Sequence, residues 1–275
     1  MKLGEFELLA LSDGTFALDG GQIFGVVPKP LWEKRIPADT RNRVRLALTC
    51  LLVRTGRHNV LIETGIGDKF EPKFADIYGV EHSTTLPAEL RKHGLATEDI
   101  DIVINSHLHF DHCGWNTRRA GEEVVPTFPR ARYYVQRGEW EHAHQPTERD
   151  RVSYVEELFH AAEAQTELLD GDTEIIPGIH VEVMPGHTRD LQCVRIESEG
   201  EQAYFTSDLV PTSAHIPYPW ITSFDLYPLE TLANKKRLLP ELAKEEALLV
   251  FPHDPQLPWT KLAEIDGKIA MEPVP

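Results

Sequence analysis

Residues 106–115, with the sequence SHLHFDHCGW, place three histidines and one aspartate within six positions. Imidazole nitrogens and carboxylate oxygens are the ligands that zinc and similar divalent ions take. In an extended segment, residues two apart point the same way, so His107 and His109 can bind one ion together. Asp111 and His112 follow where we expect the chain to turn into a helix, which would direct them toward a second ion.

Three other strand-like runs also end on a candidate ligand. "IHVEVMPG" leads into His187, "QAYFTS" into Asp208 and "ALLVFP" into His253, just as "DIVINS" leads into the histidine-rich segment. Strand ends in an α/β fold meet at one edge, where loops direct side chains to a common point. Seven donors exceed what one tetrahedral ion takes. The pattern therefore predicts two divalent ions that share a bridging carboxylate. Any one of these residues alone is better explained as a surface histidine or a turn aspartate, but their joint placement favours a metal site.

The elements needed to position these residues are short strands mixed with amphipathic helices, which predicts an α/β sandwich with sheets inside and helices outside. The runs "RLALTCLLVRT" and "HNVLIE" predict a hairpin around Gly56, and a helix is expected over residues 150–164. Proline and glycine gather into no linker, so we expect one domain over residues 1–275. Residues 20–40 are predicted to form a loop with an apolar side that could cap a pocket.

Composition and charge narrow the function classes. The formal net charge of −16 disfavours nucleic-acid and anionic-membrane partners. Three cysteines provide no disulfide framework. The N-terminus lacks a signal-peptide pattern, and the longest apolar run is too short to span a bilayer. We therefore expect a cytoplasmic protein with a small-molecule substrate. A homodimer is compatible with the sequence.

The spacing H-x-H-x-D-H, the later Gly-His and Ser-Asp pairs and the late Pro-His resemble the metallo-β-lactamase superfamily of hydrolases over about residues 44–255. The resemblance implies an αββα sandwich with two mixed sheets and a dinuclear site at one edge. It also implies the division of ligands: the first ion takes His107, His109 and His187; the second takes Asp111, His112 and His253; Asp208 bridges them. Zinc is the default metal, and manganese, iron or cobalt also fit the donors.

Two residues near this pattern need separate interpretation. Family members usually carry Asp-Thr-Gly after the hairpin, whereas this chain reads "LIETGIG", so Glu63 stands where an aspartate normally supports the site by hydrogen bonding. The longer carboxylate puts the tuning of the metal in question. His215, seven residues after Asp208 in "SDLVPTSAHIPYPW", is a candidate for contact with the substrate or a transition-state oxygen. A histidine simply exposed on that loop is the competing interpretation.

Other residues have ordinary structural explanations. His142 and His144 are interpreted as solvated, His160 and Glu163 as a surface pair, and Cys113 as packed behind the ligands. The basic stretch "NKKRLL" at 234–239 is interpreted as a solvated helix face. A set of aromatic residues could form an apolar pocket wall but could equally be core: Phe24, Trp32, Phe110, Trp115, Trp220 and Phe224.

Two metal ions activate a water for attack on a carbonyl carbon or phosphorus, so no serine or cysteine nucleophile is needed. Asp111 would orient that water, and Asp208 would hold both ions. The segments at residues 21–39 and 207–212 resemble the N-acyl homoserine lactonase and methyl parathion hydrolase branch. This resemblance implies a lactonase of the quorum-quenching type, with promiscuous phosphotriester or aryl ester hydrolysis. Two alternatives remain: a glyoxalase-II-like thioesterase with the same seven ligands, and a non-catalytic metal-binding protein.

Overall fold

Two mixed β-sheets, each of seven strands, form from successive halves of the chain. The coordinates are a computed structural model, and they describe residues 1–272 and residue 274. The first sheet has the strand order β1-β2-β3-β4-β5-β8-β9 and the second has β10-β11-β12-β13-β14-β15-β16, while β6 and β7 pair separately. Within the described residues the strands are β1 Lys2–Leu3, β2 Phe6–Asp19, β3 Arg43–Arg54, β4 Asn59–Ile62, β5 Ile102–Ile104, β6 Thr117–Ala120, β7 Glu123–Pro126, β8 Arg132–Gln136, β9 Thr166–Leu169, β10 Thr173–Ile176, β11 Ile179–Val183, β12 Gln192–Ser198, β13 Glu201–Phe205, β14 Leu248–Val250, β15 Trp259–Ile265 and β16 Lys268–Glu272. The helices are α1 Gly20–Phe24, α2 Lys29–Trp32, α3 Pro72–Tyr78, α4 Leu86–Lys92, α5 Arg137–His144 and α6 Pro228–Lys244.

The layers follow from the alternation of apolar side chains along each strand. In β3, Leu51 and Val53 point into the core between the two sheets, whereas Cys50 and Leu52 pack on the outer face with residues of α4. In β14, Leu249 packs outward against α6 while its two neighbours point inward. The predicted αββα sandwich is therefore confirmed, and β3 and β4 form the expected antiparallel hairpin.

Parallel pairing brings the ligand-bearing segments to one edge. β13 and β14 are parallel, with Phe205 opposite Val250, so the segments that follow both strands leave the sheet at the same end. β5 in the other sheet is parallel to both of its neighbours, β4 and β8. The segment after β5 also meets the second sheet, because the backbone N–H of Gln192 donates to the carbonyl of Ser106 at 3.0 Å.

Two expectations about local structure are wrong. Residues 20–40 contain the short helices α1 and α2, with Phe24 and Trp32 buried and stacked at a centroid distance of 5.1 Å. Residues 150–164 do not form a regular α-helix; they form 3₁₀ turns at Glu156–Leu158 and, further on, at His160–Gln165. A long-range hydrogen bond competes with the helix here, since the backbone carbonyl of Ser153 accepts from the backbone N–H of Phe110 at 2.8 Å.

No helix among residues 1–272 has the length and apolar character needed to cross a membrane.

Asp13 is a fully buried carboxylate that joins the first sheet to the loops beside the ligand segment. Its Oδ1 accepts from the backbone N–H of Leu86 and from the indole N–H of Trp115, both at 2.7 Å. Its Oδ2 accepts from the backbone N–H groups of Ile66 at 2.9 Å and Gly67 at 3.0 Å. Both oxygens are therefore acceptors of two hydrogen bonds, which an amide in the same position could not reproduce.

We predict that Asp13→Asn lowers the free energy of unfolding by about 2–4 kcal/mol, because the new amide N–H₂ faces two N–H donors and leaves them buried without an acceptor. Urea unfolding measures the change as a lower transition midpoint. Asp68→Asn, at an exposed position on the loop that follows Gly67, is the matched control and should stay within about 0.5 kcal/mol of the parent. Equal midpoints for both variants would show that the four donors do not depend on the carboxylate.

Candidate metal centre

The seven candidate ligands predicted from the sequence lie together at the edge where their strands end. One group consists of His107, His109 and His187, whose ligand atoms all lie within 4.8 Å of one another. In this group the Nδ1 of His109 lies 3.1 Å from the Nε2 of His187. The three residues come from the segments after β5 and β11, so this group depends on the packing of one sheet against the other.

A second group consists of Asp111, His112 and His253, whose ligand atoms again lie within 4.8 Å of one another. The Nε2 atoms of His112 and His253 are 3.2 Å apart, and Oδ2 of Asp111 is 3.6 Å from each of them. His109 and His112 therefore belong to different groups although they are three residues apart, because the chain turns at this point and the backbone N–H of His112 donates to the carbonyl of His109.

The carboxylate of Asp208 lies between the two groups. Its Oδ2 is 3.3 Å from the Nε2 of His187, while its Oδ1 is 3.1 Å from the Nε2 of His253 and 3.6 Å from that of His112. One oxygen thus faces each group. This is the geometry that a bridging ligand requires.

Neighbouring groups hold the far nitrogens of three histidines. The Nδ1 of His253 donates to the carbonyl of Ala47 at 2.8 Å, and the Nδ1 of His187 contacts Oδ1 of Asp225 at 3.1 Å. A carbonyl can only accept, so the Nε2 of His253 presents a lone pair to the centre. His107 Nδ1 pairs with Ser106 Oγ at 2.8 Å. Such partners fix the tautomer and orientation of metal-binding imidazoles.

The donor set fits divalent metal ions. The Nε2 of His107 and Oδ1 of Asp208 are buried without a hydrogen-bond partner, which ordinarily costs about 1–3 kcal/mol for each group. Two pairs of imidazole nitrogens also approach within 3.1–3.2 Å of each other. A cation bound within each group would satisfy the orphan atoms and take the place of a proton between the paired nitrogens. Nitrogen and oxygen donors suit zinc, manganese, iron or cobalt.

Electrostatics divides the donors into two kinds. Burial, together with the adjacent imidazoles, holds the pKa of His107 and His109 well below the usual range, so both rings are neutral. Burial opposes charge on His112 and His187 too, but Asp111 and Asp208 raise the pKa of His112, and Asp208 and Asp225 raise that of His187. Burial opposes the charge on Asp208, but His112, His253 and His187 outweigh it and hold the pKa of that carboxyl well below its usual value. The carboxylates therefore favour positive charge within the cluster, and metal binding would displace protons from these rings.

Glu63 reaches the centre despite its extra methylene. Its backbone has a φ of +64°, in the left-handed region that residues other than glycine rarely adopt. Its Oε1 accepts from the backbone N–H of Ser106 at 3.1 Å and lies 3.5 Å from the Nδ1 of His112. The expected supporting position of this residue is therefore present, and strained backbone at such a place is typical of functional sites.

His215 lies in the wall of a pocket that opens on the centre. Its Nδ1 pairs with Thr212 Oγ1 at 2.8 Å and its Nε2 donates to the carbonyl of Ile23 at 3.0 Å. Burial lowers the pKa of His215 to about 4, so the ring is neutral near pH 7. Both nitrogens are thus engaged within the protein, and the catalytic role expected for this residue stays a prediction.

The pocket, called the site pocket below, has mainly apolar walls. Side chains of the candidate centre and apolar side chains share its lining: His109, Asp111, His187, Asp208 and His253 on one hand, and Phe16, Leu18, Ile23, Leu46, Phe110 and Phe224 on the other. Of the aromatic residues named from the sequence, Phe110 and Phe224 line it. Phe24, Trp32 and Trp220 pack behind it, and Trp115 is buried against Asp13.

Several interpretations of single residues can now be compared with the structure. His142 is half-buried and its Nε2 pairs with Asp150 at 2.6 Å, so its interpretation as solvated is wrong. His144 is exposed as expected, and His160 lies 3.6 Å from Glu163 on the surface. Cys113 is buried, with its thiol donating to the carbonyls of Leu108 and His109 behind the ligands.

Sequence reasoning missed Asp225, which supports His187 from 38 positions away. Thr222 and Thr231 both donate to this carboxylate, at 2.8 and 2.5 Å. Asp225 precedes α6 in "TSFD", where a turn or helix cap is the ordinary interpretation. Only the packing of α6 onto the segment after β11 shows its role, and no local motif could have found it.

Comparison with known proteins agrees with this geometry. The sequence profile of the metallo-β-lactamase superfamily matches residues 44–253, and the chain belongs to that superfamily. It is a metal-dependent hydrolase.

Several members of the superfamily are similar to this chain. An N-acyl homoserine lactonase of Bacillus cereus is 27% identical over 229 residues, which cover 78% of this chain and 83% of that protein. The crystal structure of a probable metal-dependent hydrolase from Staphylococcus aureus has a TM-score of 0.93 and 32% identity, with 98% of each chain covered. AidC, a dizinc quorum-quenching lactonase in complex with a product, has the same fold, with a TM-score of 0.82 and 22% identity over 100% of this chain and 96% of that one.

We predict that Asp225→Ala weakens metal affinity by about 10–100-fold, because the Nδ1 of His187 loses its acceptor. Competition with a chromogenic chelator measures the affinity. Glu230→Ala, at an exposed position on α6, is the matched control and should bind metal as the parent does. Unchanged affinity in Asp225→Ala would show that His187 is oriented without this carboxylate.

We predict that Glu63→Gln also weakens metal retention, by about tenfold, since a neutral amide stabilises His112 less than a carboxylate does. The same chelator titration, followed by metal analysis of the dialysed protein, measures the loss. If Glu63→Gln retains metal like the parent, the carboxylate has only a packing role beside Ser106.

Proposed function

We propose that the protein is a dinuclear metal-dependent lactonase that opens N-acyl homoserine lactones or lactones of that type. The observation that carries the proposal is the position of Asp208, with one oxygen 3.3 Å from His187 and the other 3.1 Å from His253, in the lining of an apolar pocket. That position suits a carboxylate shared by two ions. The names of the curated relatives support the choice of lactone.

In this proposal the first group, His107, His109 and His187, would hold one ion, and the second group, Asp111, His112 and His253, would hold the other, with Asp208 between them. Two such ions, when bound, would lower the pKa of a water molecule to about 7 and polarise the oxygen of an electrophile. The protein's own part is to fix these ligands, as the contacts to Ala47, Asp225 and Ser106 do.

Asp111 is the residue best placed to handle a proton. Its side chain is 11% exposed and lines the site pocket, so its carboxylate can accept a hydrogen bond from a water molecule that faces a bound lactone. Opening of the ring breaks the carbon–oxygen bond of the ester and leaves an alkoxide that must be protonated. Asp111 is positioned to hold the proton of the attacking water and return it to that oxygen.

The walls of the site pocket favour a neutral substrate with an apolar tail. Phe16, Ile23, Leu46 and Phe224 provide surface for an acyl chain. The lining residues include no lysine or arginine, so the walls away from the metal centre offer no cationic side chain to an anionic group. A phosphotriester or an aryl ester is also neutral and would fit the same walls, which supports promiscuous hydrolysis of these esters.

One observation keeps a glyoxalase-II-like thioesterase as the second candidate. A polar recess adjoins the site pocket, with Gln22, His109, Arg149 and Ser223 in its lining, and its single arginine could bind a carboxylate of a glutathione thioester. However, Arg149 already donates to the carbonyl of Ser223 at 2.6 Å. The basic stretch at 234–239 offers less than expected, since Lys235 is fully buried. A non-catalytic metal-binding protein would have no use for a pocket whose apolar walls meet the centre.

We predict that the metal-loaded protein hydrolyses N-hexanoyl homoserine lactone at least about tenfold more efficiently, in kcat/KM, than a glutathione thioester. pH-stat titration measures lactone opening, and absorbance measures thioester loss. Removal of metal by a chelator should abolish turnover, and added zinc or cobalt should restore it.

His109→Ala should lose both metal and turnover, while His58→Ala, a change at an exposed histidine, serves as the control. Preference for the thioester would favour the second candidate. Normal activity in His109→Ala at full metal content would contradict the ligand assignment. Metal binding without turnover of any lactone, ester or thioester would favour a binding protein.

A further inference from the structure

A lysine with no exposed surface lies on the inner face of α6. Lys235 is 0% exposed, although the basic stretch that contains it was expected to be solvated. Its neighbour Lys236 is exposed, so only one of the two lysines turns inward. An unpaired buried ammonium costs several kcal/mol unless hydrogen bonds satisfy it. The burial of Lys235 therefore needs a structural explanation, because a lysine on a helix is normally exposed to solvent.

Backbone carbonyls provide all the hydrogen bonds of this ammonium within the described residues. Its Nζ donates to the carbonyls of His215 at 2.5 Å, Trp220 at 2.8 Å, Pro217 at 3.0 Å and Tyr218 at 3.3 Å. All four belong to residues 215–220, called the wall loop below. An ammonium has three N–H bonds, so at least one is shared between two carbonyls. Lys235 therefore contacts the backbone carbonyls of four of the six residues in the wall loop.

In the described part of the chain, the backbone of the wall loop makes only short-range hydrogen bonds besides those to Lys235. Pro217 and Pro219 carry no backbone N–H, and the backbone N–H groups of the loop donate from His215 to Thr212 at 2.9 Å, from Ile216 to Ser213 at 3.3 Å and from Trp220 to Pro217 at 3.0 Å. Four carbonyls that converge on one point would repel each other without a hydrogen-bond donor between them. Burial lowers the pKa of Lys235 to about 7, so the carbonyls hold this side chain through its N–H bonds as well as through its charge. The contacts of Lys235 with the four carbonyls therefore restrain the path of the loop.

The path of the loop in turn positions a wall of the site pocket. His215 is at the first position of the loop, and its ring stacks on Phe24 at a centroid distance of 5.0 Å while its Nε2 bonds the carbonyl of Ile23. Trp220, at the other end of the loop, contacts the same Phe24 edge-on at 5.8 Å. Ile23 and His215 line the pocket. The wall loop and α1 therefore form one unit that faces the space where an acyl chain would lie.

Helix α6 supports the metal centre through a separate residue. Thr231 lies four positions before Lys235, on the same face of the helix, and donates to Asp225, which holds His187. One helix face thus carries two supports: Thr231 acts toward the metal ligands and Lys235 toward the pocket wall. The two supports can be tested separately.

We propose that Lys235 is a positioning residue for the substrate: it fixes the wall loop, and through His215 and α1 it sets how tightly the site pocket holds the acyl part of a substrate. This inference rests on the proposed function, since it takes the site pocket as the substrate pocket. Loss of the ammonium should weaken binding of acylated substrates without loss of metal.

The experiment compares Lys235→Met, which keeps the length of the side chain and removes its charge, with Lys235→Arg and the exposed control Lys236→Met. We expect Lys235→Met to retain the metal content of the parent and to raise KM for N-hexanoyl homoserine lactone about tenfold. KM for γ-butyrolactone, which has no acyl chain, should change less than about twofold. Lys235→Arg should restore part of the difference because its guanidinium can also donate to carbonyls. All rates are measured well below the unfolding temperature of each variant.

Hydrogen exchange supplies a readout that needs no substrate. In Lys235→Met the backbone amides of residues 20–25 and 211–222 should exchange faster, while those of residues 106–116 should stay as protected as in the parent. If Lys235→Met does not fold, Lys235→Arg is tested for the same pattern with smaller changes.

Equal rises in KM for both lactones, unchanged exchange in the two segments, or loss of metal in parallel with activity would each overturn the proposal. If the parent hydrolyses no lactone, the proposed function fails by itself. In that case two measurements on Lys235→Met decide the role of Lys235. One is the hydrogen-exchange pattern, and the other is KM for substrates of the class that the parent does hydrolyse.

Discussion

The structure depends on one electrostatic constraint: five imidazoles and two carboxylates are held in a buried cluster where their lone pairs converge. Such an arrangement is unfavourable for the protein alone, since Nε2 of His107 and Oδ1 of Asp208 are buried without a hydrogen-bond partner. Divalent cations turn the same arrangement into a favourable one. The folding energy of the sandwich holds the donors together, and metal binding then adds to stability.

The contacts around the cluster explain how the protein maintains this arrangement. Carbonyl and carboxylate acceptors such as Ala47 and Asp225 hold the far nitrogens of the ligands, and Glu63 does so from a left-handed backbone conformation. Buried carboxylates such as Asp13 satisfy loop N–H groups near the site. Strain and buried polar groups therefore concentrate at one edge, while the core between the sheets remains apolar and can supply the compensating stability.

In the proposed function, the tasks of binding and chemistry fall to different elements. The segments after the strands carry the candidate ligands, whereas α1, the wall loop and the segment around Phe224 carry apolar surface. Helix α6 contacts both parts, through Thr231 and through Lys235. This separation allows selectivity for the substrate to change without loss of the metal centre, which is a physical basis for one fold serving many hydrolytic reactions.

The sequence by itself determined a sandwich of sheets with helices outside and the seven candidate ligands, because alternation of apolar residues and the positions of strand ends are local properties. The resemblance to the metallo-β-lactamase superfamily added the αββα arrangement with two mixed sheets and identified Glu63 as the departure from the usual aspartate. It could not predict the 3₁₀ turns within residues 150–164, where a bond from Phe110 to Ser153 overrides the helical pattern. Nor could it predict that Asp225 contacts His187 or that Lys235 is buried. These features depend on contacts between residues far apart in the chain, and only the packing of α6 and the two sheets decides which polar groups meet there.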